Sequence, residues 1–129
     1  MLPITQEWLE KAEGDYTSAQ PELRARKRPN YDAACFHAQQ CAEKYLKACL
    51  QEAGVRIPRT HDLAAMITLL PKPDLEWTAL QTPVLRLSAY AVEFRYPGQS
   101  ADKSAAQRAL ADSALVRTKA RATLGLKAV

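Results

Sequence analysis

The two histidines of this chain, His37 and His61, are the side chains best suited to proton transfer near neutral pH. Metal-independent cleavage of RNA needs a base that deprotonates the 2′-hydroxyl and a cation that stabilises the phosphorane. His37 lies on the flank of a predicted helix, one turn from Cys41 and two turns from Lys44. His61 follows Thr60, a predicted helix cap. For His37 we favour a half-buried ring bonded to a neighbouring helix, and for His61 a role in fixing its loop, over a base or a phosphate ligand.

Arg95 is the strongest candidate for a ligand contact. It lies at the predicted end of a helix and is followed by Tyr96 and Pro97. An arginine there either binds phosphate through its planar fork or satisfies the last carbonyls of its own helix, and the sequence favours neither. Tyr96 either stacks on a base or covers the end of the bundle. Together with His37 and Lys44, these two residues are the candidate ligand-binding set.

The sequence predicts no metal centre, no cofactor and no catalytic residue. The two histidines are far apart, and no H-x3-H or E-x-x-H pair exists. The chain has only four glycines and no glycine-rich phosphate loop. A basic connector is either a phosphate contact or, more commonly, a solvated loop. Its residues are Arg24, Arg26, Lys27 and Arg28.

Apolar residues recur with the helical period along nearly the whole chain, and no segment alternates with period two. Residues 31–53 form the most distinctive predicted helix, with Asn30 as its cap and Gly54 as its left-handed end. Its apolar stripe consists of Tyr31, Ala34, Cys35, Ala38, Ala42, Tyr45, Leu46 and Cys49.

The predicted first and third helices flank this one. The first is capped by Thr5 and is ended or bent by Pro21. The third is short, is capped by Thr60 and ends at Pro71 and Pro73. The predicted buried residues are Trp8, Ala12, Tyr16 and Ala19 in the first helix, and Leu63, Ile67 and Leu70 in the third.

The predicted fourth helix covers about 74–95, and Pro83 forces a kink or a restart within it. The fifth helix covers about 101–124 and is capped by Ser100. Short connections between four long helices and one short helix favour an antiparallel arrangement. We therefore expect an all-α fold, an antiparallel up-and-down four-helix bundle with one additional short helix, as a single domain over residues 1–129.

Phe36 is a large apolar residue on the polar face of the second helix, among Gln40, Glu43 and Lys47. It is covered either by the connector after the first helix or by another subunit, because aromatic residues are enriched in interfaces. Much of the hydrophobic content is alanine, so association with a second subunit would add buried area. We expect a homodimer with Phe36 and Gln40 in its interface.

Composition is that of a soluble globular protein, with 47% hydrophobic and 25% charged residues. The net charge of +4 is compatible with nucleic-acid binding but does not require it. Cys35, Cys41 and Cys49 lie on one helix, whose rigid geometry keeps them from bonding to each other, and this favours a reducing compartment. The N-terminal residues have no apolar run long enough for a signal peptide, and no stretch approaches the apolar length of a membrane span, so we expect neither. We expect a cytoplasmic protein.

Four motifs resemble the HEPN family of small helical domains, in the family's order and over nearly the whole chain. They are W-L-x-K-A-E at 8–13, Y-D-A-A-C-F-H-A-Q-Q-C-A-E-K-Y-L-K-A at 31–48, T-H-D-L at 60–63 and R-Y-P at 95–97. The resemblance implies a five-helix, bundle-based domain that usually dimerises and that is associated with nucleotides or RNA. It also implies a possible partner, since many members are encoded beside a small nucleotidyltransferase or fused to one.

The chain departs from the family in one motif. The ribonucleases of the family carry an arginine, four to six residues and then a histidine at the start of the late helix. Arg95 occupies the arginine position, but no histidine follows, and Ser100 stands where it would be. Arg56 and His61 have the right spacing as a string, but they precede the third helix, so we treat that match as accidental.

These observations predict a non-catalytic HEPN domain that binds a nucleotide or RNA and partners a small nucleotidyltransferase. One alternative is a divergent ribonuclease of a toxin–antitoxin pair that uses Arg95 with His37 or with no histidine. The other is a plain helical interaction module without a ligand.

Overall fold

A computed structural model describes residues 1–71 and 74–128, and this part of the chain is all α-helical. Four long helices form an antiparallel bundle, with two short helices between the second and third of them. The helices are α1 (Pro3–Arg24), α2 (Tyr31–Glu52), α3 (Leu63–Leu69), α4 (Leu75–Ala79), α5 (Gln81–Glu93) and α6 (Lys103–Thr123). The predicted fold class is confirmed, with one short helix more than the single one expected. None of the described helices is long and apolar enough to cross a membrane.

The central helix is α2, which packs against α1, α3, α5 and α6. Its predicted start and end are confirmed: Asn30 Oδ1 accepts a hydrogen bond from the Ala33 amide at 2.9 Å, and Gly54 has a φ of +74°. The predicted stripe lies in the core, although Tyr31 is only half-buried. All three cysteines are buried free thiols, and burial raises the pKa of each to about 12.

The expected start of α1 was wrong, and Pro21 does not end the helix. The helix begins at Pro3, so Thr5 is a buried residue of the first turn rather than the cap. Pro21 lies within the helix, which continues to Arg24. A proline so close to the C-terminus removes one amide donor in the last turn and leaves most of the helical hydrogen bonds intact. Ala12 and Ala19 are buried as expected, whereas Trp8 and Tyr16 are only half-buried.

The cap of α3 is Asp62, not Thr60. The Asp62 carboxylate accepts a hydrogen bond from the Ala65 amide at 3.1 Å. Thr60 Oγ1 instead accepts from the Asp62 amide at 3.0 Å, so it shapes the turn that precedes the helix. The predicted apolar stripe is buried, and the helix ends before Pro71. Pro73, the second predicted stop, lies outside the described residues.

The predicted restart in the fourth helix is confirmed, but it falls at Leu80 rather than at Pro83. Pro83 lies in the first turn of α5, where a missing amide hydrogen removes no intrahelical bond. The helix ends at Glu93, so Arg95 lies just beyond it.

The cap of α6 is Asp102 rather than Ser100, because the Asp102 carboxylate accepts from the Ala105 amide at 2.8 Å. Most of the predicted inner side is buried, namely Ala106, Ala109, Ser113, Val116 and Ala120, while Leu110 and Leu124 are half-buried. The Ala101 amide donates to Asp32 at the start of α2 at 2.6 Å. This contact holds the loop between α5 and α6 beside the first turn of α2.

Candidate functional site

A groove of about 460 Å³ runs between α2 and α5, and the loop before α3 closes one side of it. Phe36 and Gln40 line it from α2, Leu85 and Val92 line it from α5, and Arg95 lines it from just beyond α5. The fold therefore brings the two predicted interface residues and the strongest predicted ligand residue onto one surface. We call this surface the α2–α5 groove.

The walls of the α2–α5 groove are largely apolar and open to solvent. Phe36 is 41% exposed, Leu85 is 58% exposed and Val92 is 62% exposed. The Phe36 ring packs edge-on against the His37 ring, with 5.4 Å between the ring centroids. Three large apolar side chains exposed on one face are a feature of surfaces that bind a ligand or another chain.

Arg95 is the cation of the groove. Its backbone amide donates to the Val92 carbonyl at 3.4 Å, and its side chain is exposed. Within residues 1–71 and 74–128, the guanidinium makes no hydrogen bond or ion pair, so it does not satisfy the last carbonyls of α5. Tyr96 follows it and is 65% exposed, but it does not line the groove. The donors of the Arg95 guanidinium are thus unoccupied within the described residues.

A buried carboxylate lies behind one wall of the groove. Glu43 is only 3% exposed. Gln39 Nε2 donates to its Oε1 at 3.1 Å and Lys47 Nζ donates to its Oε2 at 3.0 Å. His61 Nδ1 lies 2.7 Å from Oε1. Burial alone would raise the pKa of this carboxyl, but the three hydrogen bonds outweigh burial and hold the pKa below its usual value, so Glu43 is a carboxylate.

His61 lines the α2–α5 groove beside Asp62 and Ser88. Its side chain is 73% exposed although its Nδ1 contacts a buried group. The expectation that His61 fixes its loop agrees with the contact to Glu43, but that contact also leaves the rest of the ring facing the groove. Sequence reasoning missed that His61 and Arg95 share a surface. Glu43 lies on the polar face of α2 in the sequence pattern, so no local signal indicated that it is buried and in contact with His61.

His37 and Lys44 do not line the groove. Both face α1, where His37 Nδ1 lies 2.9 Å from Asp15 Oδ1 and Lys44 Nζ donates to Asp15 Oδ2 at 2.5 Å. The favoured interpretation of His37, a half-buried ring bonded to a neighbouring helix, agrees with this geometry. The binding role predicted for His37 and Lys44 stays a prediction.

Ser100 stands where the ribonucleases of the HEPN family carry a histidine. It does not line the α2–α5 groove. It lines a separate cleft between α5 and α6, together with Tyr90 and Arg108. The basic connector lines a different cleft of about 640 Å³, which Arg24, Arg26 and Lys103 share. Neither cleft includes Arg95, and the cleft beside Ser100 also holds the carboxylates of Glu93 and Asp102.

In the described part of the chain, no cluster of three or more histidine, cysteine, aspartate or glutamate side chains is arranged to hold a metal ion. The second charged cluster, in which Glu13 accepts from Arg117 at 2.7 Å and from Tyr45 at 2.7 Å, joins α1, α2 and α6. It lies outside the groove and stabilises helix packing.

Comparison with solved structures agrees with this fold. A protein of Thermus thermophilus, TT1696, is 25% identical and superposes with a TM-score of 0.82 over 95% of this chain and 99% of that one. An archaeal HEPN homologue, ST0689, is 22% identical and superposes with a TM-score of 0.71 over 92% of this chain and 95% of that one. No curated protein matches the chain.

Family comparison gives one assignment. The model of the HEPN domain matches residues 5–122, which is nearly the whole chain. The matched region includes α2 to α5 entirely and nearly all of α1 and α6, and therefore the complete α2–α5 groove. The chain belongs to the HEPN domain family.

Proposed function

We propose that this HEPN domain binds a nucleotide or a short RNA in the α2–α5 groove without cleaving it. The observation that carries the proposal is Arg95, whose exposed guanidinium lies on the wall of an open apolar groove and has no partner within the described residues. A guanidinium binds phosphate through two parallel hydrogen bonds. The apolar wall at Phe36 offers a face on which a base can stack. One surface would thus contact both the phosphate and the base of the ligand.

Tyr96 and the basic connector extend this surface in the proposal. Tyr96 is exposed next to Arg95 and offers a second stacking face. The connector residues Arg24 and Arg26 attract phosphate over a distance set by salt screening, about 8–10 Å at physiological ionic strength. This attraction carries no sequence preference. Specific affinity therefore depends on Arg95 more than on any single connector residue.

The absence of a histidine after Arg95 supports a non-catalytic role. The ribonuclease alternative that pairs Arg95 with His37 is not favoured by the geometry, because His37 faces Asp15 on α1 instead of the groove. Base and cation must lie within hydrogen-bond reach of one phosphodiester to act together. Binding without cleavage is the function that these contacts support best.

The test is a titration of fluorescently labelled ATP and of a labelled short RNA at two salt concentrations. We expect weak binding that Arg95→Ala reduces at least tenfold, whereas the matched connector variant Arg26→Ala reduces it less than threefold. Raising the salt concentration should remove the connector's contribution first. The absence of binding at millimolar ligand, or binding that is indifferent to Arg95, would overturn the proposal.

A second candidate function, a helical interaction module, is favoured by the same exposed apolar residues. Phe36, Leu85 and Val92 form a surface that a second copy of the chain would cover, in agreement with the predicted homodimer. A ligand and a second copy would then compete for the groove. Saturating RNA should shift a dimer that uses this face toward monomer. No effect of RNA on the oligomeric state would assign the dimer to another face.

A small nucleotidyltransferase remains the proposed partner on the strength of family membership. The genes that flank this one provide the first test. Co-expression and co-purification with a nucleotidyltransferase encoded next door would support the partnership. The absence of a nucleotidyltransferase gene next door would remove the support for this partner and would not affect the proposed binding in the groove.

A further inference from the structure

His61 is an exposed side chain held by a buried one. Its ring is 73% exposed, whereas the Glu43 carboxylate that it contacts is 4% exposed. Glu43 does not depend on His61 for its hydrogen bonds, because Gln39 donates to Oε1 and Lys47 donates to Oε2. The contact adds one hydrogen bond to Glu43, and it also fixes the orientation of a ring that faces the groove.

The contact also fixes where the proton of the neutral ring lies. A carboxylate only accepts hydrogen bonds, so the nitrogen that faces it must carry hydrogen. That nitrogen is Nδ1, at 2.7 Å from Glu43 Oε1. In the neutral ring, Nε2 is then the unprotonated nitrogen and acts as an acceptor. Arg95 presents only donors to the same groove, so His61 supplies an acceptor of a kind that Arg95 lacks.

The two groups are separated along the groove by a length that suits an oligonucleotide. The Leu63 amide donates to Ser88 Oγ at 3.4 Å, which places the start of α3 level with Ser88. Glu93, the last residue of α5, lies about 7.5 Å beyond Ser88 at the helical rise of 1.5 Å per residue, and Arg95 follows two residues after the helix ends. Stacked nucleotides of one strand are about 3.4 Å apart, so the helical part of this span alone corresponds to roughly two of them.

We propose that His61 Nε2 accepts a hydrogen bond from a ribose 2′-hydroxyl of a single-stranded RNA whose phosphate is bound by Arg95. The site thereby selects RNA over DNA, since the 2′-hydroxyl is the group that distinguishes them. Glu43 is a positioning residue, which acts only through His61. This inference rests on the proposed function, because it requires that the groove binds nucleic acid.

The experiment measures the affinity of the full chain for three labelled pentanucleotides of one sequence: RNA, DNA and 2′-O-methyl RNA. The methylated probe keeps the 2′-oxygen but lacks the hydroxyl hydrogen that would be donated in the hydrogen bond to His61 Nε2. We expect RNA to bind about three- to tenfold more tightly than the other two, which is the size of one hydrogen bond. His61→Asn keeps an amide donor for Glu43 but has no atom at the Nε2 position, so its preference for RNA should fall to about one. The matched control is Arg59→Ala, at an exposed residue outside the groove. It should lower the affinity for all three probes by the same factor and leave the preference for RNA unchanged.

A measurement on the unmodified protein guards against a folding defect in the variant. Long-range proton–nitrogen correlation spectra of the histidine rings should show hydrogen on Nδ1 of neutral His61, and RNA should shift the Nε2 resonance more than 2′-O-methyl RNA does. Equal affinity for the three probes, a preference that survives His61→Asn, or hydrogen on Nε2 of the free neutral ring would each overturn the inference. Equal but Arg95-dependent affinities would overturn it while leaving the proposed function in place. The absence of any binding would overturn both.

Discussion

Lys44 on α2 and Asp15 on α1 form an ion pair with 2.5 Å between Nζ and Oδ2. His37, two helical turns before Lys44, contacts the other oxygen of the same carboxylate at 2.9 Å. The Asp15 side chain is only 11% exposed, so this carboxylate is an anchor between the two helices rather than a surface charge. His37 and Lys44, which the sequence predicted as ligand-binding residues, therefore hold α1 against α2.

Lys44→Ala tests this structural role. The substitution leaves the largely buried Asp15 with His37 as its remaining side-chain partner, and we expect the free energy of unfolding to fall by about 1–3 kcal/mol. Lys11→Ala, an exposed residue on the same helix as Asp15, should change it by less than about 0.5 kcal/mol. Urea denaturation measures both. We also expect RNA affinity to fall less than in Arg95→Ala, and a loss as large as that of Arg95→Ala would place Lys44 in the binding site.

Phe36→Glu tests the proposed homodimer. A charge on the apolar wall of the α2–α5 groove would have to be desolvated in the interface, so the variant should sediment as a 14.3 kDa species at micromolar concentration. The unmodified protein should sediment at twice that mass. Leu115→Glu introduces the same charge at an exposed leucine of α6, outside the groove, and should remain dimeric. A monomeric unmodified protein would contradict the prediction directly.

RNA should remain intact in the presence of the purified protein without metal. No histidine follows Arg95, and His61 is the single histidine among the groove residues that the structure describes. Cleavage needs a base and a cation that act on the same phosphodiester, and in the proposed pose His61 contacts a different nucleotide from the one whose phosphate Arg95 binds. Incubation of structured RNA, followed by gel analysis, checks this. Cleavage that disappears in Arg95→Ala would instead establish the ribonuclease alternative.

Stability should fall in acid. Hydrogen bonds from His61, Gln39 and Lys47 outweigh burial and lower the pKa of Glu43, and hydrogen bonds and charges from neighbouring arginines do the same for the pKa of Glu13. A carboxyl whose folded pKa lies below its unfolded value of 4.5 stabilises the fold above pH 4.5, and this stabilisation is lost as the pH falls through the folded pKa.

Urea unfolding at pH 7, 5 and 3.5 measures this dependence. Glu43→Gln should have a lower free energy of unfolding than the unmodified protein at pH 7. The difference should narrow at pH 3.5, because the unmodified protein loses the stabilisation by Glu43 in acid, whereas the variant has no carboxyl at this position to titrate. Glu10→Gln, at an exposed position on α1, should follow the pH dependence of the unmodified protein. A constant difference between Glu43→Gln and the unmodified protein at all three pH values would refute the argument.

Local signals in the sequence predicted α2 with accuracy. The Asn30 cap, the left-handed Gly54 and the buried stripe depend on neighbours within a few residues, so they can be recognised without the rest of the chain. The caps of α3 and α6 were misplaced by two residues each, because Thr60 and Asp62, like Ser100 and Asp102, are all acceptable caps. In the folded chain Asp62 and Asp102 are the caps, because their carboxylates accept from the Ala65 and Ala105 amides. Pro21 does not end α1, since a proline near a helix end is tolerated when tertiary contacts extend the helix.

The sequence by itself determined the family, the all-helical class and the identity of the long central helix, since these depend on motifs and on a period that any short window displays. Only the tertiary structure decided the site. Glu43 is buried because the loop before α3 and helix α5 cover the polar face of α2, and His61 meets it 18 residues away along the chain. The same packing places Phe36, His61 and Arg95 on one groove and turns His37 and Lys44 toward α1. Such neighbours are fixed by the way separate helices pack together, which no local pattern of residues specifies.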